Sequence, residues 1–167
     1  MVSSLDVTVS RILSPGDGIA DSTTAPPQGS LPGLVLVTGA SGFIGKHLCK
    51  RLAHTGTPID VLVRSRAANC GVTPRRTIVH DLGSGPIIDS FKGVDTVFHT
   101  AGYAHALDDP GLDVTPYKRA NEDGTAEVVQ AAVAGGVRRI VMLSSIKAMG
   151  EGGHQCIDET FECKPTT

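Results

Sequence analysis

Three glycines spaced three residues apart, Gly39, Gly42 and Gly45, stand between an apolar run and an amphipathic stretch. In a strand-to-helix loop of this kind the first glycine permits a sharp turn. The second lets backbone approach a pyrophosphate, and the third lets the helix pack closely on the sheet. The N–H groups at the helix start face the phosphates, and the helix dipole favours their charge. This spacing therefore predicts a dinucleotide-binding loop, whose other predicted cofactor contacts are Ser41, Phe43 and Ile44.

The pair Gly45-Lys46 also resembles the end of a phosphate-binding P-loop. That motif needs a glycine five residues before its last one, and this chain has Ala40 there. It also needs Ser or Thr after the lysine, and this chain has His47. The P-loop is therefore excluded, and the dinucleotide loop remains the prediction.

The end of the second predicted strand bears on the choice between NAD and NADP. An acidic residue there binds the ribose hydroxyls of NAD, whereas an arginine suits the 2′-phosphate of NADP. Asp60 begins that strand, more than about 10 Å from its end at about 3.3 Å per residue. Arg64 stands at the end, so we predict NADP, with NAD and a solvated Arg64 as alternatives. Asp81 and Leu82 follow the third predicted strand, where adenine is expected, although Asp81 also fits a helix cap.

Alternating strands and helices must bring these residues together. Short apolar runs predict strands at residues 34–37, 59–63, 77–80, 94–99 and 139–144. Helices are predicted at residues 46–54 and from Tyr117 to Ala134. The apolar stripe of the second helix is predicted to be Ala126, Val129, Ala132 and Val133. This order predicts a Rossmann-type, doubly wound α/β fold with a parallel sheet of about five strands.

The 167 residues, 40% of them hydrophobic, suffice for one globular domain. Residues 1–33 are rich in Ser, Pro and Gly and contain one basic residue, Arg11. That composition predicts a flexible extension rather than a secretory signal. We therefore place an NAD(P)-binding domain at residues 34–167.

Charge and cysteine content exclude several classes of function. Fifteen Lys and Arg against seventeen Asp and Glu argue against a nucleic-acid-binding surface. No apolar run approaches the roughly 20 residues of a membrane span, so we expect a soluble, cytoplasmic protein. The four cysteines form no C-x-x-C pair, and His154, Cys156 and Cys163 match no standard metal site. We therefore predict no metal ion.

Five motifs in order carry a family resemblance from about Leu34 to the C-terminus. They are Thr38–Gly45, Asp81-Leu82, His99–Gly102, Asn121–Thr125 and Ser144–Glu151. Together they resemble the extended short-chain dehydrogenase/reductase family, in its NAD-dependent epimerase/dehydratase group. The last motif further resembles nucleotide-sugar 4-epimerases and 4-ketoreductases. The resemblance implies hydride transfer at a carbon of a nucleotide sugar.

The resemblance also implies roles for residues beyond the glycine loop. Ala101 and Gly102 would lie along the cofactor, and Asn121 would support that turn and the cofactor. As residues alone, Asn121 also fits a helix cap. Ser145 would hydrogen-bond the reacting oxygen of the substrate, with Ser144 beside the cofactor. Both serines also fit a simple turn after a strand.

The proton-transferring pair of that family is not found in this chain. The family uses a Tyr followed four residues later by Lys, after the serine motif. Here Tyr103 is followed by Leu107 and Tyr117 by Asn121, and both tyrosines precede Ser145. The comparison implies that the chain stops before the Tyr/Lys helix and the substrate domain. We expect the cofactor half of an enzyme, inactive or nearly so by itself; the alternatives are a non-enzymatic NAD(P)-binding module, such as a redox sensor, or a gene remnant.

The absence of those later elements has physical consequences. The helix from Tyr117 to Ala134 contributes to a dimer interface in relatives, which implies a homodimer here. The fifth strand is expected to become an exposed sheet edge. We therefore expect marginal stability for the chain alone.

Overall fold

The computed structural model of the chain describes residue 31, residues 33–103, residues 113–150, and residues 158 and 160. Contacts group these residues into two units, one with the described residues up to Met142 and one with those from Leu143 onward. The first unit contains the sheet and the predicted cofactor loop. Among the described residues, no helix combines the length and the apolar character needed to cross a membrane.

Five parallel strands form one sheet in the order β3-β2-β1-β4-β5. The strands are β1 (Leu34–Thr38), β2 (Ile59–Val63), β3 (Arg76–Val79), β4 (Val94–His99) and β5 (Arg139–Met142). The strand order reverses between β1 and β4, and such sheets bind ligands at the carboxyl ends of the strands at that point. The Rossmann-type, doubly wound fold is thereby confirmed. The bounds of β2 and β4 match the prediction, whereas β5 ends two residues early, before Ser144.

The sheet is covered on both faces, which is why its central strands are almost wholly apolar. The helical elements are α1 (Phe43–His54), a 3-10 helix (Ile88–Phe91), α2 (Thr115–Tyr117), a π-helical segment (Lys118–Asp123) and α3 (Gly124–Gly135). Val35 and Val37 of β1 belong to one core cluster with Cys49 of α1. Leu36 belongs to the opposite cluster, with Phe91 and side chains of α3.

The two predicted helices differ from the observed ones in length and type. Helix α1 begins at Phe43 rather than at residue 46, because its N-cap is Gly42, directly after the glycine turn. The second helix spans α2, the π-helical segment and α3 rather than one α-helix. In the π-helical segment the N–H of Gly124 donates to the carbonyl of Arg119, five residues earlier. That widening allows the Arg119 carbonyl to approach Gly83, where an added Cβ would lie 2.4 Å away.

Of the four residues in the predicted apolar stripe of the second helix, only Ala132 is buried, and the other three were predicted wrongly. The buried face of α3 consists of Gly124, Val128, Ala131 and Ala132. Val129 and Val133 are instead 37% and 58% exposed, and Ala126 is exposed. Ala and Val occupy much of this helix, so hydrophobicity alone does not separate its faces. Close packing does, because a Cβ at Gly124 would lie 2.8 Å from Cβ of Leu82.

A buried carboxylate joins β2 to β3 near their amino ends. Asp60 is fully buried and stands opposite Arg76 in the strand register. It accepts hydrogen bonds from Nε and Nη2 of Arg75, at 2.9 and 2.7 Å, and from Nε of Arg76 at 2.8 Å. Two guanidinium groups therefore neutralise Asp60, at the opposite end of the sheet from the glycine loop.

Candidate cofactor-binding site

At two of the three glycines of the loop, neighbouring backbone leaves no room for a side chain. Gly39 has a φ of +66°, and a Cβ there would lie 2.6 Å from the Ala101 nitrogen. A Cβ at Gly45 would lie 2.2 Å from the Gly39 carbonyl oxygen. Gly42 is different, because its φ is −72° and an added Cβ would meet only that same oxygen, at 3.2 Å. Gly39 and Gly45 are therefore required for packing, whereas a Cβ at Gly42 would be tight against that one oxygen and meet no other described protein atom within 4 Å.

The first turn of α1 presents backbone donors beside Gly42. The N–H groups of Phe43, Ile44 and Gly45 precede the first intrahelical bond, in which the N–H of Lys46 donates to Gly42 at 3.0 Å. No acidic residue lies in this turn, and the cap has no side-chain hydrogen bond. The arrangement suits the pyrophosphate of a dinucleotide, since the donors and the helix dipole both favour an anion. Ser41 is half-buried in the same loop.

A buried histidine connects the ends of β1 and β4 to α3. Nδ1 of His99 lies 2.7 Å from the Thr38 hydroxyl, and Nε2 lies 3.1 Å from the Thr125 hydroxyl. Burial lowers the pKa of His99, so the ring is neutral at pH 7. The Thr38 hydroxyl also accepts the N–H of Ala101, at 3.4 Å. These contacts hold the glycine turn and the turn at Ala101 beside each other.

Asn121 holds the loop after β4 at two points. Its Oδ1 accepts the N–H of Tyr103 at 2.7 Å, and its Nδ2 donates to the Tyr103 carbonyl at 3.0 Å. A Cβ at Gly102 would lie 3.4 Å from the same Oδ1. Asn121 thus fixes the backbone that follows Ala101 and Gly102. It does not act as a helix cap, because the caps of α2 and α3 make no side-chain hydrogen bond.

The turn after β3 holds the residues predicted to lie beside adenine. Asp81 is half-exposed and forms an ion pair with Arg119 of the π-helical segment. Leu82 is 8% exposed and belongs to the core cluster that includes α3. No helix begins at Asp81, so the alternative of a helix-capping Asp81 is wrong.

Glu127 is a residue of this region that the sequence analysis missed. It lies on α3, yet its side chain is only 12% exposed and contacts the turn after β3. The N–H groups of Gly83 and Gly85 donate to its two oxygens, at 2.8 and 2.5 Å. Burial raises the pKa of Glu127, but these N–H groups and His80 outweigh burial and hold that pKa below its ordinary value. In sequence, Glu127 is an ordinary acidic residue in the middle of the helix predicted from Tyr117 to Ala134, so no local signal marks it.

Arg64 lies just past β2, close to the level of the glycine turn. Leu62 pairs with Thr38, the last residue of β1, so Arg64 lies two residues beyond the end of β1. Its side chain is exposed and pairs with no acidic group in the described ranges. Arg64 is therefore available for a phosphate, whereas Asp60 is occupied by two arginines.

Ser144 and Ser145 belong to the second unit. Both are exposed, and they precede a short 3-10 helix, Ile146–Met149. The carbonyl of Ser145 accepts the N–H of Ala148 at 3.0 Å. Their predicted contacts with substrate and cofactor remain predictions.

Tyr103 and Tyr117 contact each other edge to face, with ring centroids 4.7 Å apart. The buried hydroxyl of Tyr117 has no hydrogen-bond partner in the part of the chain that the structure describes. Burial and the neighbouring Tyr103 raise the pKa of Tyr117. A tyrosine that transfers protons near neutral pH needs a lowered pKa. Tyr117 therefore does not replace the missing Tyr/Lys pair.

The cysteines in the described ranges are structural. Cys49 and Cys70 are both buried and free. Burial, with a smaller effect of Cys70, raises the pKa of Cys49 to about 11, so its reactive thiolate is scarce. No group of three or more potential metal ligands occurs among the described residues. His154, Cys156 and Cys163 lie outside them.

Comparison with known sequences finds relatives with several related activities. Residues 35–167 match the sequence profile of the NAD dependent epimerase/dehydratase family. The UDP-glucose 4-epimerase of Vibrio cholerae is 32% identical over 127 residues, which cover 73% of this chain and 38% of that protein. A putative dihydroflavonol 4-reductase of Synechocystis is 32% identical over 129 residues, covering 75% of this chain and 37% of that protein.

Solved structures show the same arrangement of strands and helices. MoeE5, in complex with UDP-glucuronic acid and NAD, is 33% identical with a TM-score of 0.68, covering 80% of this chain and 43% of that chain. A UDP-galactose 4-epimerase is 28% identical with a TM-score of 0.68, covering 79% and 45%. The chain therefore spans less than half the length of each of these relatives.

Proposed function

This chain belongs to the NAD-dependent epimerase/dehydratase family, and on that basis we propose that it binds NAD(P) at the carboxyl ends of β1, β2 and β4. The observation that carries the proposal is the glycine loop. A Cβ at Gly39 or Gly45 would overlap neighbouring backbone, while a Cβ at Gly42 would contact only the Gly39 oxygen, beside helix N–H groups that precede the first intrahelical bond. When bound, the nicotinamide supplies hydride transfer at a substrate carbon. The chain itself holds the pyrophosphate on the first turn of α1 and orients the dinucleotide along Ala101 and Gly102.

Two glycine-to-alanine variants, one at each end of α1, test cofactor binding. Gly42→Ala should abolish NAD and NADPH binding at a modest cost in stability, because its φ is unstrained and the Gly39 oxygen, 3.2 Å from the new Cβ, must shift by only a few tenths of an ångström. Gly56→Ala, beyond the carboxyl end of α1, should leave NAD and NADPH binding unchanged but lower the stability. Gly56 has a φ of +73°, which strains alanine, and nothing lies within 4 Å of its Cβ. Calorimetric titration and urea unfolding of both variants measure the two effects; unchanged binding by Gly42→Ala would contradict the proposal.

Within this proposal, NADP is preferred over NAD. An exposed Arg64 just past β2, with no acidic partner among the described residues, supports the preference, because a guanidinium suits a 2′-phosphate. Arg64→Ala should weaken NADPH binding at least about tenfold, the loss expected for one charge-assisted hydrogen bond. NADH binding should change by less than about twofold, or 0.4 kcal/mol. An unchanged NADPH-to-NADH affinity ratio would rule out this role of Arg64.

We extend the proposal to the whole reaction, as nucleotide-sugar 4-epimerisation or 4-keto reduction. Two relatives are epimerases named for UDP-sugars, which supports this substrate class. In the complete reaction Ser145 would orient the reacting oxygen of the sugar, with Ser144 beside the cofactor. A cytoplasmic location is part of the same proposal.

The 167-residue chain by itself should bind cofactor without turning over a sugar nucleotide. It lacks the Tyr/Lys pair, which contributes roughly 10²–10⁴-fold, and the raised pKa of Tyr117 offers no substitute. Incubation with UDP-glucose and NAD should yield none of the C4 epimer, UDP-galactose, by chromatography, because epimerisation consumes no net cofactor. Incubation with a 4-keto sugar nucleotide and NADPH should leave the absorbance at 340 nm constant. Turnover in either assay would contradict the prediction that this chain alone is inactive. Cofactor binding without turnover also fits the alternative of a non-enzymatic module, whereas no binding would favour a gene remnant.

We further propose a homodimer through the second helix. The outward face of α3 carries Val129 and Val133, which are 37% and 58% exposed. Exposed apolar side chains at this spacing form a stripe that a second copy of the chain can cover. The stripe differs from the buried face, so a dimer leaves the packing of α3 on the sheet unchanged.

A further inference from the structure

The two oxygens of Glu127 are both occupied by the turn that follows β3. Oε2 accepts the N–H of Gly83 at 2.8 Å and lies 3.2 Å from Nε2 of His80. Oε1 accepts the N–H of Gly85 at 2.5 Å. The side chain is 12% exposed, so water competes little for these contacts. One carboxylate on α3 therefore anchors three groups of a turn more than forty residues away.

That turn depends on outside support for its shape. Gly83 and Gly85 have φ values of +82° and +131°, and glycine there leaves the backbone a wide choice of conformations. Its internal backbone hydrogen bond joins the N–H of Ser84 to the Asp81 carbonyl, at 3.1 Å. The neighbouring glycine N–H groups instead donate to Glu127. The carboxylate therefore selects one conformation of the turn that carries Asp81 and Leu82.

We propose that Glu127 is a positioning residue for the adenosine half of NAD(P). The inference rests on the proposed function, since it assumes that Asp81 and Leu82 border the adenine. Glu127 acts through the turn rather than on the cofactor, because its oxygens are taken up by backbone and His80. Without the carboxylate the turn populates the binding conformation less often, and the apparent affinity falls by that fraction.

The matched pair Glu127→Gln and Asp95→Asn isolates this role. Glutamine has the shape of glutamate, but its amide nitrogen cannot accept the second N–H. Asp95 also accepts two hydrogen bonds, from Nε of Arg138 at 2.5 Å and from the Thr96 hydroxyl at 3.0 Å, and its side chain is 19% exposed. It lies near the amino end of β4, away from the glycine loop. Asp95→Asn thus removes a comparable carboxylate without touching the turn.

Calorimetric titration of the full chain with ADP-ribose and with inorganic pyrophosphate gives the readout, at a temperature where every variant is folded. Glu127→Gln should weaken ADP-ribose binding about tenfold, which corresponds to about 1.4 kcal/mol. Its pyrophosphate affinity should stay unchanged, because pyrophosphate contacts the glycine loop alone. Asp95→Asn should leave both affinities unchanged. A purely structural role of Glu127 would instead weaken both probes together, which would overturn the inference.

The outcomes separate this inference from the proposed function. If the natural chain does not bind ADP-ribose, both fall. If it binds and Glu127→Gln binds within about twofold of it, or 0.4 kcal/mol, only the positioning role falls. Should Glu127→Gln not fold, Glu127→Asp serves instead, because the shorter carboxylate reaches fewer of the anchors. Faster amide exchange at Gly83 and Gly85 should then accompany weaker ADP-ribose binding, and faster exchange with unchanged binding overturns the inference.

Discussion

Replacing Asp60 by Asn removes the buried charge that joins β2 to β3. The side chain accepts three charge-assisted hydrogen bonds, two of them at Oδ2, from Arg75 at 2.7 Å and from Arg76 at 2.8 Å. An amide nitrogen at that position would face two donors. The side chains of Arg75 and Arg76 are 53% and 39% exposed, so water recovers part of the loss. The free energy of unfolding should therefore fall by about 2–4 kcal/mol.

Urea unfolding followed by circular dichroism measures this loss. With a slope near 2 kcal/mol per molar urea, the midpoint should fall by about 1–2 M at unchanged slope. Asp89→Asn is the matched control, because Asp89 pairs with Lys92 at 2.7 Å but both side chains are largely exposed. The control should leave the midpoint unchanged. An Asp60→Asn midpoint within about 0.3 M of the natural chain would refute the reasoning.

The Asp60→Asn variant also tests whether Asp60 contributes to the choice between NAD and NADP. An Asp60 that bound the ribose hydroxyls would, once replaced, shift the preference from NADH toward NADPH. Because two arginines occupy its carboxylate, Asp60→Asn should leave the ratio of the two affinities unchanged at a urea concentration where the variant is folded.

Three further changes probe separate parts of the molecule. Gly45→Ala should destabilise the chain by about 1–3 kcal/mol, because its Cβ would lie 2.2 Å from the Gly39 oxygen; an unchanged urea midpoint would contradict this packing. The lowered pKa of His99 means that the unfolded chain binds its proton first as the pH falls below about 6.5. The free energy of unfolding should therefore drop between pH 7 and 5, by up to about 1.4 kcal/mol per pH unit, and less steeply in His99→Gln. Parallel curves of unfolding free energy against pH for the two proteins would exclude His99 as the cause. Val133→Asp should turn the proposed dimer into a monomer in sedimentation, and an unchanged mass would place the interface elsewhere.

Local patterns predict the strands of this sheet well. The bounds of β2 and β4 follow from the sequence, because both segments are rich in β-branched and apolar residues and lie between turn residues. The glycine loop is equally local, since its spacing and the strand before it lie within a dozen residues. The predicted bounds of β1 and β3 differ by one residue from the observed ones, and the predicted end of β5 lies two residues too far along the chain, where apolar Leu143 follows Met142.

The contacts within the candidate site are mostly long-range and were harder to predict. Asn121 was singled out by its motif, yet its two hydrogen bonds to Tyr103 span eighteen residues and could not be derived from spacing. Glu127 went unnoticed because an acidic residue within a predicted helix is ordinary. Its partners lie on a turn more than forty residues earlier, which only the packed fold brings within reach.

By itself, the sequence determined the alternation of strands and helices, the doubly wound sheet and the glycine loop. These features depend on side-chain chemistry repeated over a few neighbouring residues. Tertiary structure decided which face of α3 is buried, where Val128 rather than Val129 meets the sheet. It also decided that Asp60 pairs with two arginines and that Glu127 holds the turn after β3. Those choices depend on which distant groups come close enough for hydrogen bonds and close packing, and a linear pattern carries no such distances.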